Sequence, residues 1–550
     1  MSQTTIQKRK PIFFYPALPE IKLCFAVTIA TVAYAWYCVY LASTKFQFKI
    51  GHMASVHDLP LIGQRFRDDT NWEWFRWRPH AFNALPFLAM HSILFNIGEK
   101  ILPTKLWTYG IIGYSMIASA FMYTPQLLGI SLLQGVLLFA TTYFTKSWKC
   151  VWIASLPVLI FIMNFTSSVS DDPFLVLLFV SYTLLSYISF CLEWSRKSIP
   201  EMETETLPQI FTRMLFYAFY QPYQISVIVI YPEFEKQLKL RKTEPRNWKK
   251  TLIFIARIAF WWALTEAILY FFYFEAMLTD YHFAFKLPKN EFVTLGMAMG
   301  SFFHLKYVVI FGYQAVFARL DNMRPPDGPI CISRVALYSK IWRAFDRGLY
   351  AYFKEYIFIP ICSPTFSIPR KIFGVFASYT FVLIWHGFQH HNIVWIGLNI
   401  IELFLEYSAK ILYSNPSVQM WREKRISDVN FRRILGWLQV VCFAVGLYSN
   451  FYFLGGSQVG QMFVQSKLIL TKKFKGELLM TKLFAGIFWE ETWTLRWPFF
   501  LLITLGYFYM QVAMEVDRNA SLRAERQEIE EAEKEKLLKS GATKSTKKVN

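Results

Sequence analysis

FVLIWHGFQHH, residues 381–391, sets an ionisable His386 inside an apolar run, behind Trp385 and ahead of Gly387. Whether that run belongs to a soluble core or to a membrane span decides the fold class. Of 550 residues, 54% are hydrophobic and 17% charged, against roughly 25% charged in an ordinary soluble domain. Long apolar runs recur from residue 22 to residue 516, and about 20 such residues cross a bilayer. The composition predicts an all-α fold, a polytopic transmembrane helical bundle. Candidate spans fall near 21–42, 81–97, 106–124, 126–144, 148–163, 171–192, 209–231, 251–278, 292–319, 372–388, 392–413, 433–454 and 494–514. Several are short and flanked by Pro or charge, so about ten to twelve true spans with one or two re-entrant elements are expected. The first run is too long for a signal-peptide core and reads as a retained span.

The net charge of +20, from 58 basic and 38 acidic residues, does not imply nucleic acid. Basic residues gather between the apolar runs, as in EKQLKLRKTEPRNWKK (235–250) and REKRISDVNFRR (422–433). Such loops normally stay cytosolic, because Lys and Arg resist translocation. They could also hold an anionic cosubstrate at that surface. The division expected is a multi-span membrane domain over 1–516 and a charged cytosolic tail over 517–550. That tail has nine basic and seven acidic residues and should begin as a solvated helix and end disordered. Its terminal KKVN resembles a dilysine retrieval signal of the endoplasmic reticulum, an address that works only on a cytosolic C-terminus.

Seven cysteines are scattered without CxxC or zinc-ligand spacing, so no disulfide framework or zinc site is indicated. Charge inside a membrane is costly, which makes an intramembrane ionisable residue a functional candidate. His386 could be a neutral imidazole bonded between helices. It could share a metal with His390 on one helical face, though no third ligand is near. Or it could be a general base, since an imidazole accepts a proton near neutral pH. Asp346, in KIWRAFDRGLYAYFKEYIFIP (340–360), could pair with Arg343 or Arg347, or act in a site. Asn450, in LYSNFYFLGG (447–456), precedes a Gly-Gly pair that reads as a helix end or turn.

Taken together these residues carry a family pattern. WRAFD (342–346), WHG with His386 forty positions after Asp346, and SNFYFLGG with Asn450 sixty-four after His386 resemble the membrane-bound O-acyltransferase superfamily. More narrowly they are similar to its hedgehog acyltransferase group, as are the blocks DDTNWEW (68–74) and YQPYQISVIVIYPEF (220–234). The resemblance covers roughly 60–515. It implies that His386 is the catalytic histidine. Asp346 falls where most of the superfamily has asparagine and this group has aspartate, which suits an amine acceptor that must lose a proton. Trp342 and Arg343 match the start of the motif, and Asn450 matches a position lining the acyl-CoA site. Cys331, in PDGPICIS (326–333), falls where the group has a cysteine that ligates haem b; a buried packing role is the alternative.

The implied reaction moves palmitoyl from palmitoyl-CoA to the N-terminal cysteine amine of a secreted protein at the endoplasmic reticulum membrane, with both chain termini cytosolic. His386 or Asp346 would take the acceptor proton, and protonated His386, Asn450 or Trp385 would steady the oxyanion. Related subfamilies instead acylate lipids, including glycerolipids and glycosylphosphatidylinositol anchors. Outside the family, a transporter would use His386 and Asp346 to relay protons or hold an ion. A silent regulator would bind lipidated partners without turnover.

Overall fold

A computed structural model describes residues 13–60, 62–331, 335–465 and 497–546. The basic stretch before residue 13 and the terminal KKVN lie outside the described residues. Eight described helices are long and apolar enough to cross a membrane. They are α1 (Ile21–Phe46), α2 (Trp72–Ile101), α3 (Pro125–Thr145), α4 (Pro173–Ser195), α5 (Trp248–Phe271), α6 (Lys289–Leu320), α9 (Ile368–His386) and α11 (Asp428–Gln465). Helices Thr104–Met122 and Trp148–Asn164, also expected as spans, are more polar or shorter. Between α6 and α9 lie two short helices, α7 (Tyr338–Phe345) and α8 (Arg347–Phe353). Helix α10 (His390–Ser414) follows α9 directly, and α12 (Trp497–Thr546) runs unbroken past the boundary expected at 517.

The polar punctuation of the sequence explains where helices start and stop. The polar segment before α2 forms an antiparallel hairpin of β1 (Ala54–Leu59) and β2 (Gly63–Asp68), and Trp72, Trp74 and Trp77 open α2 itself. Asn71 then caps α2, its side chain accepting from the Trp74 N–H at 3.1 Å, which satisfies one orphan donor of the first turn. The Gly-Gly pair after Asn450 does not end its helix at once. Helix α11 continues and kinks at Gly456, where φ is 74°, a left-handed conformation that favours glycine.

Helices α4 and α6 carry the most enclosed faces of the bundle, while Ile29, Phe121, Phe144 and Ile153 stand exposed on its outside. In water such apolar exposure would promote association; against lipid it is the expected surface. Helices α10 and α11 pack along each other, and α12 closes that side against α1 and α11. The chemistry-bearing α7 packs against both α10 and α11, and Phe345 at its end meets Phe303 of α6.

Candidate active site

Helix α7 stops at Asp346, whose backbone leaves the helical region at φ −118° and ψ 94°. The same residue caps α8, its carboxylate accepting from the Leu349 N–H at 2.8 Å. A break between two short helices therefore holds the carboxylate in place. Gly348 lies directly on the Ile228 carbonyl, where an added Cβ would come within 2.0 Å of the oxygen. The YQPYQISVIVIYPEF block is thus the wall behind the Asp346 turn. Burial pushes the Asp346 carboxyl up to about 6, against the pull of the Leu349 and Gly348 N–H groups. Among the described residues neither Arg343 nor Arg347 pairs with it. Arg343 turns back onto Ser339, donating to its carbonyl at 2.8 Å and its hydroxyl at 2.9 Å.

His386 is the last residue of α9, and Gly387 (φ 88°) turns the chain sharply behind it. The buried Asn392 amide locks that turn, donating to the His386 carbonyl at 2.7 Å and the Gly387 carbonyl at 3.0 Å. The half-buried imidazole stands edge-on to Trp395 and Phe453, with centroids 5.2 and 5.0 Å away. Those two rings stack at 4.1 Å. His390 faces elsewhere, 3.3 Å from the Ser457 hydroxyl. No group of three His, Cys, Asp or Glu suited to a metal occurs among the described residues.

Rings connect the two candidate groups. Phe345, next to Asp346, stacks on Phe303 at 5.2 Å, and Phe303 meets Phe453 at 5.9 Å. Trp342 closes the box against Trp395 at 5.3 Å. Asn450, half-buried on α11, is one turn before Phe453 and shares its face. Trp385 instead packs edge-on against Tyr182 of α4 at 5.3 Å. The indole Nε1 atoms of Trp342 and Trp395 are buried without a hydrogen-bond partner.

A further acid was missed by reading the sequence. Glu73 accepts from the Tyr307 hydroxyl at 2.7 Å and pairs with the buried Lys306 ammonium at 2.5 Å. It lies within electrostatic reach of His386, and both Glu73 and Asp346 act on Tyr182. The signal was present: Lys306 sits inside the apolar run of α6, where an unpaired ammonium is untenable. Cys331 is half-buried beside Tyr509, and the Ile330 N–H just before it donates to the Ala344 carbonyl at 3.0 Å. Its segment is thereby strapped to the end of α7. One soft thiol there fits the donor chemistry of an axial haem ligand.

The family model for MBOAT, the membrane-bound O-acyltransferase family, matches residues 93–449. The chain is 27% identical over 460 residues to the protein-cysteine N-palmitoyltransferase Rasp of Drosophila melanogaster, covering 81% of this chain and 89% of the relative. It is 24% identical over 510 residues to the mouse (Mus musculus) protein-cysteine N-palmitoyltransferase HHAT, covering 89% and 96%. A membrane-bound O-acyltransferase GUP1 of Millerozyma farinosa matches at 24% over 177 residues, only 32% and 34% of the two chains. The family match spans most of the chain and contains both the α7–α8 break and the α9–α10 turn. This chain belongs to the membrane-bound O-acyltransferase family.

Proposed function

We propose that this acyltransferase moves palmitoyl from palmitoyl-CoA to the α-amine of an N-terminal cysteine on a secreted signalling protein. The reaction takes place at the endoplasmic reticulum membrane, with both chain termini cytosolic. Two of the relatives that align over most of both lengths are named for that chemistry. The observation that carries the reading is the carboxylate of Asp346, held at a helix break on the ring box that holds His386. An ammonium acceptor needs a negative partner to draw it in and a base to free its lone pair.

In this mechanism Asp346 orients the ammonium and His386 takes a proton from it. The freed nitrogen attacks the thioester carbonyl, the C–N bond forms, and the C–S bond breaks. The second nitrogen-bound proton goes to the departing thiolate, so the products are the amide and the CoA thiol. Trp342, Trp395 and Asn450 would donate to the developing oxyanion, each such donor being worth about 3 kcal/mol. Arg343 and the basic loops would meet the anionic head of the CoA. If haem b binds, the Cys331 thiolate would hold its iron, and the Ile330 N–H bond to the Ala344 carbonyl would tie that position to the end of α7; acyl transfer is redox-neutral, so no step here draws on its redox chemistry.

The test is labelled palmitoyl-CoA with a peptide bearing an N-terminal cysteine, alongside a His386→Ala variant. Amide-linked label that vanishes in the variant supports the reading. Transfer to lysolipids that depends on His386, with none to peptides, would assign the enzyme to lipid remodelling instead.

A further inference from the structure

Acylation of an ammonium releases one proton per turnover: R–NH3⁺ plus the thioester gives the amide, the CoA thiol and H⁺. Inside a membrane that proton needs a route out, and α10 carries one acid with no assigned role. Glu402 is 1% exposed, and neither carboxylate oxygen has a hydrogen-bond partner. Among the described residues no cation pairs with it. A buried carboxyl left this way is costly only in its charged form, so it rests neutral and can exchange a proton with its neighbours.

Its position gives it a use. Trp395 touches His386, Asn399 follows one turn along α10, then Glu402, then Glu406. At 1.5 Å per residue, Glu402 lies about 10 Å along the helix from Trp395. Polar groups fill the gap: the Tyr338 hydroxyl bonds to the Asn399 amide oxygen and stands 3.5 Å from the Ser449 hydroxyl. Beyond Glu402, Glu406 accepts from the Ser339 N–H at 2.9 Å and pairs with Lys410, which is 40% exposed. The groups facing Glu402 are Tyr338 from α7, Tyr379 from α9, Cys442 from α11 and Glu406 from its own helix. Gly446 of α11 leaves room beside it, since a Cβ there would come within 3.0 Å of a carboxylate oxygen.

We infer that Glu402 is the internal station that takes the surplus proton from the His386 side and passes it through Glu406 to the aqueous end of α10. The inference rests on the amine-acylation reading above. Glu402 touches no substrate; Asn399, Tyr338 and Ser449 lie on its Trp395 side and Glu406 one turn beyond it, and it acts through them.

The experiment compares the full-length wild type with Glu402→Gln and Glu402→Asp, with saturating palmitoyl-CoA and cysteine peptide, from pH 6 to pH 9. The Gln variant should lose about tenfold in kcat at pH 7, keep its KM for palmitoyl-CoA, and recover as pH rises and solvent takes the proton. The Asp variant, which keeps the acid, should stay within about threefold of wild type. A Gln variant within twofold at every pH overturns the inference and leaves the acylation reading intact. So does a loss that is the same at all pH values and is shared by the Asp variant, because a packing role would behave that way. If the Gln variant does not fold, the Asp variant decides alone: folded and active supports the inference, folded and inactive overturns it. Absence of amide from the wild type itself would sink the acylation reading, and this inference with it.

Discussion

The ring box around His386 and the charged end of the bundle treat polar atoms in opposite ways. At the charged end the ions are matched. Buried Arg432 donates to Glu515 at 2.8 Å, to Gln511 and to the Pro16 carbonyl. Arg433 grips Glu20 with two bonds of 2.7 and 2.9 Å. Arg422 pairs with Asp428 and Lys340 with Asp517. In the box, the indole N–H groups of Trp342 and Trp395 have no partner, and two turns along α10 the carboxyl of Glu402 has none either. The matched end fastens the N-terminal segment, α7, α11 and α12 to one another; the unmatched region is built to receive something. Buried unsatisfied groups are costly, so the ones beside a candidate site are where a ligand is most profitably sought.

Substitutions can break this contrast from either side. The largest expected effect is at His386: His386→Ala should cut acyl transfer about 10³-fold, within the range for loss of a general base, while the thermal unfolding temperature stays near that of wild type. Arg432→Ala should do the reverse. Removing one partner of a buried ion pair costs about 3–5 kcal/mol, so unfolding in detergent should shift down by several degrees while the KM of any surviving folded enzyme holds. Asp346→Asn should fall between them, losing roughly 10²-fold in kcat. With the Asp346 carboxyl pushed up to about 6, wild-type activity should fall as pH drops through that value, because the protonated acid no longer draws in the ammonium. The Asn variant should lack that limb in a rate profile from pH 5 to 8. Asp517→Ala, which opens a partly exposed pair with Lys340, should cost only about 1 kcal/mol of stability and leave the rate within about threefold.

The helical membrane architecture was legible because apolar runs of span length need no knowledge of their partners. His386, Asp346 and Asn450 were singled out by short motifs and fixed spacing, and the structure sets His386 and the end of α7 against one group of rings. What stayed hidden depends on which helices meet. Glu73 and Tyr307 are bonded across 234 positions, and nothing local to either announces the other. Trp395 looked like one more aromatic in an apolar run, yet it faces His386 with a free N–H, whereas Trp385, adjacent in sequence, packs on Tyr182. The hairpin before α2 was masked for another reason: its Arg- and Trp-rich strand-to-helix junction reads equally well as an interfacial belt. Glu402 and Glu406 share one helix face, but only the packing of α7 and α11 shows that one acid is matched and the other is not.

The most direct test of the central claim compares two cysteine peptides, one with a free N-terminus and one acetylated, each incubated with labelled palmitoyl-CoA and the purified enzyme. The account predicts hydroxylamine-stable label on the free peptide, none on the acetylated one, and neither with His386→Ala. Equal labelling of the acetylated peptide, or label that hydroxylamine strips from both, would contradict transfer to the α-amine.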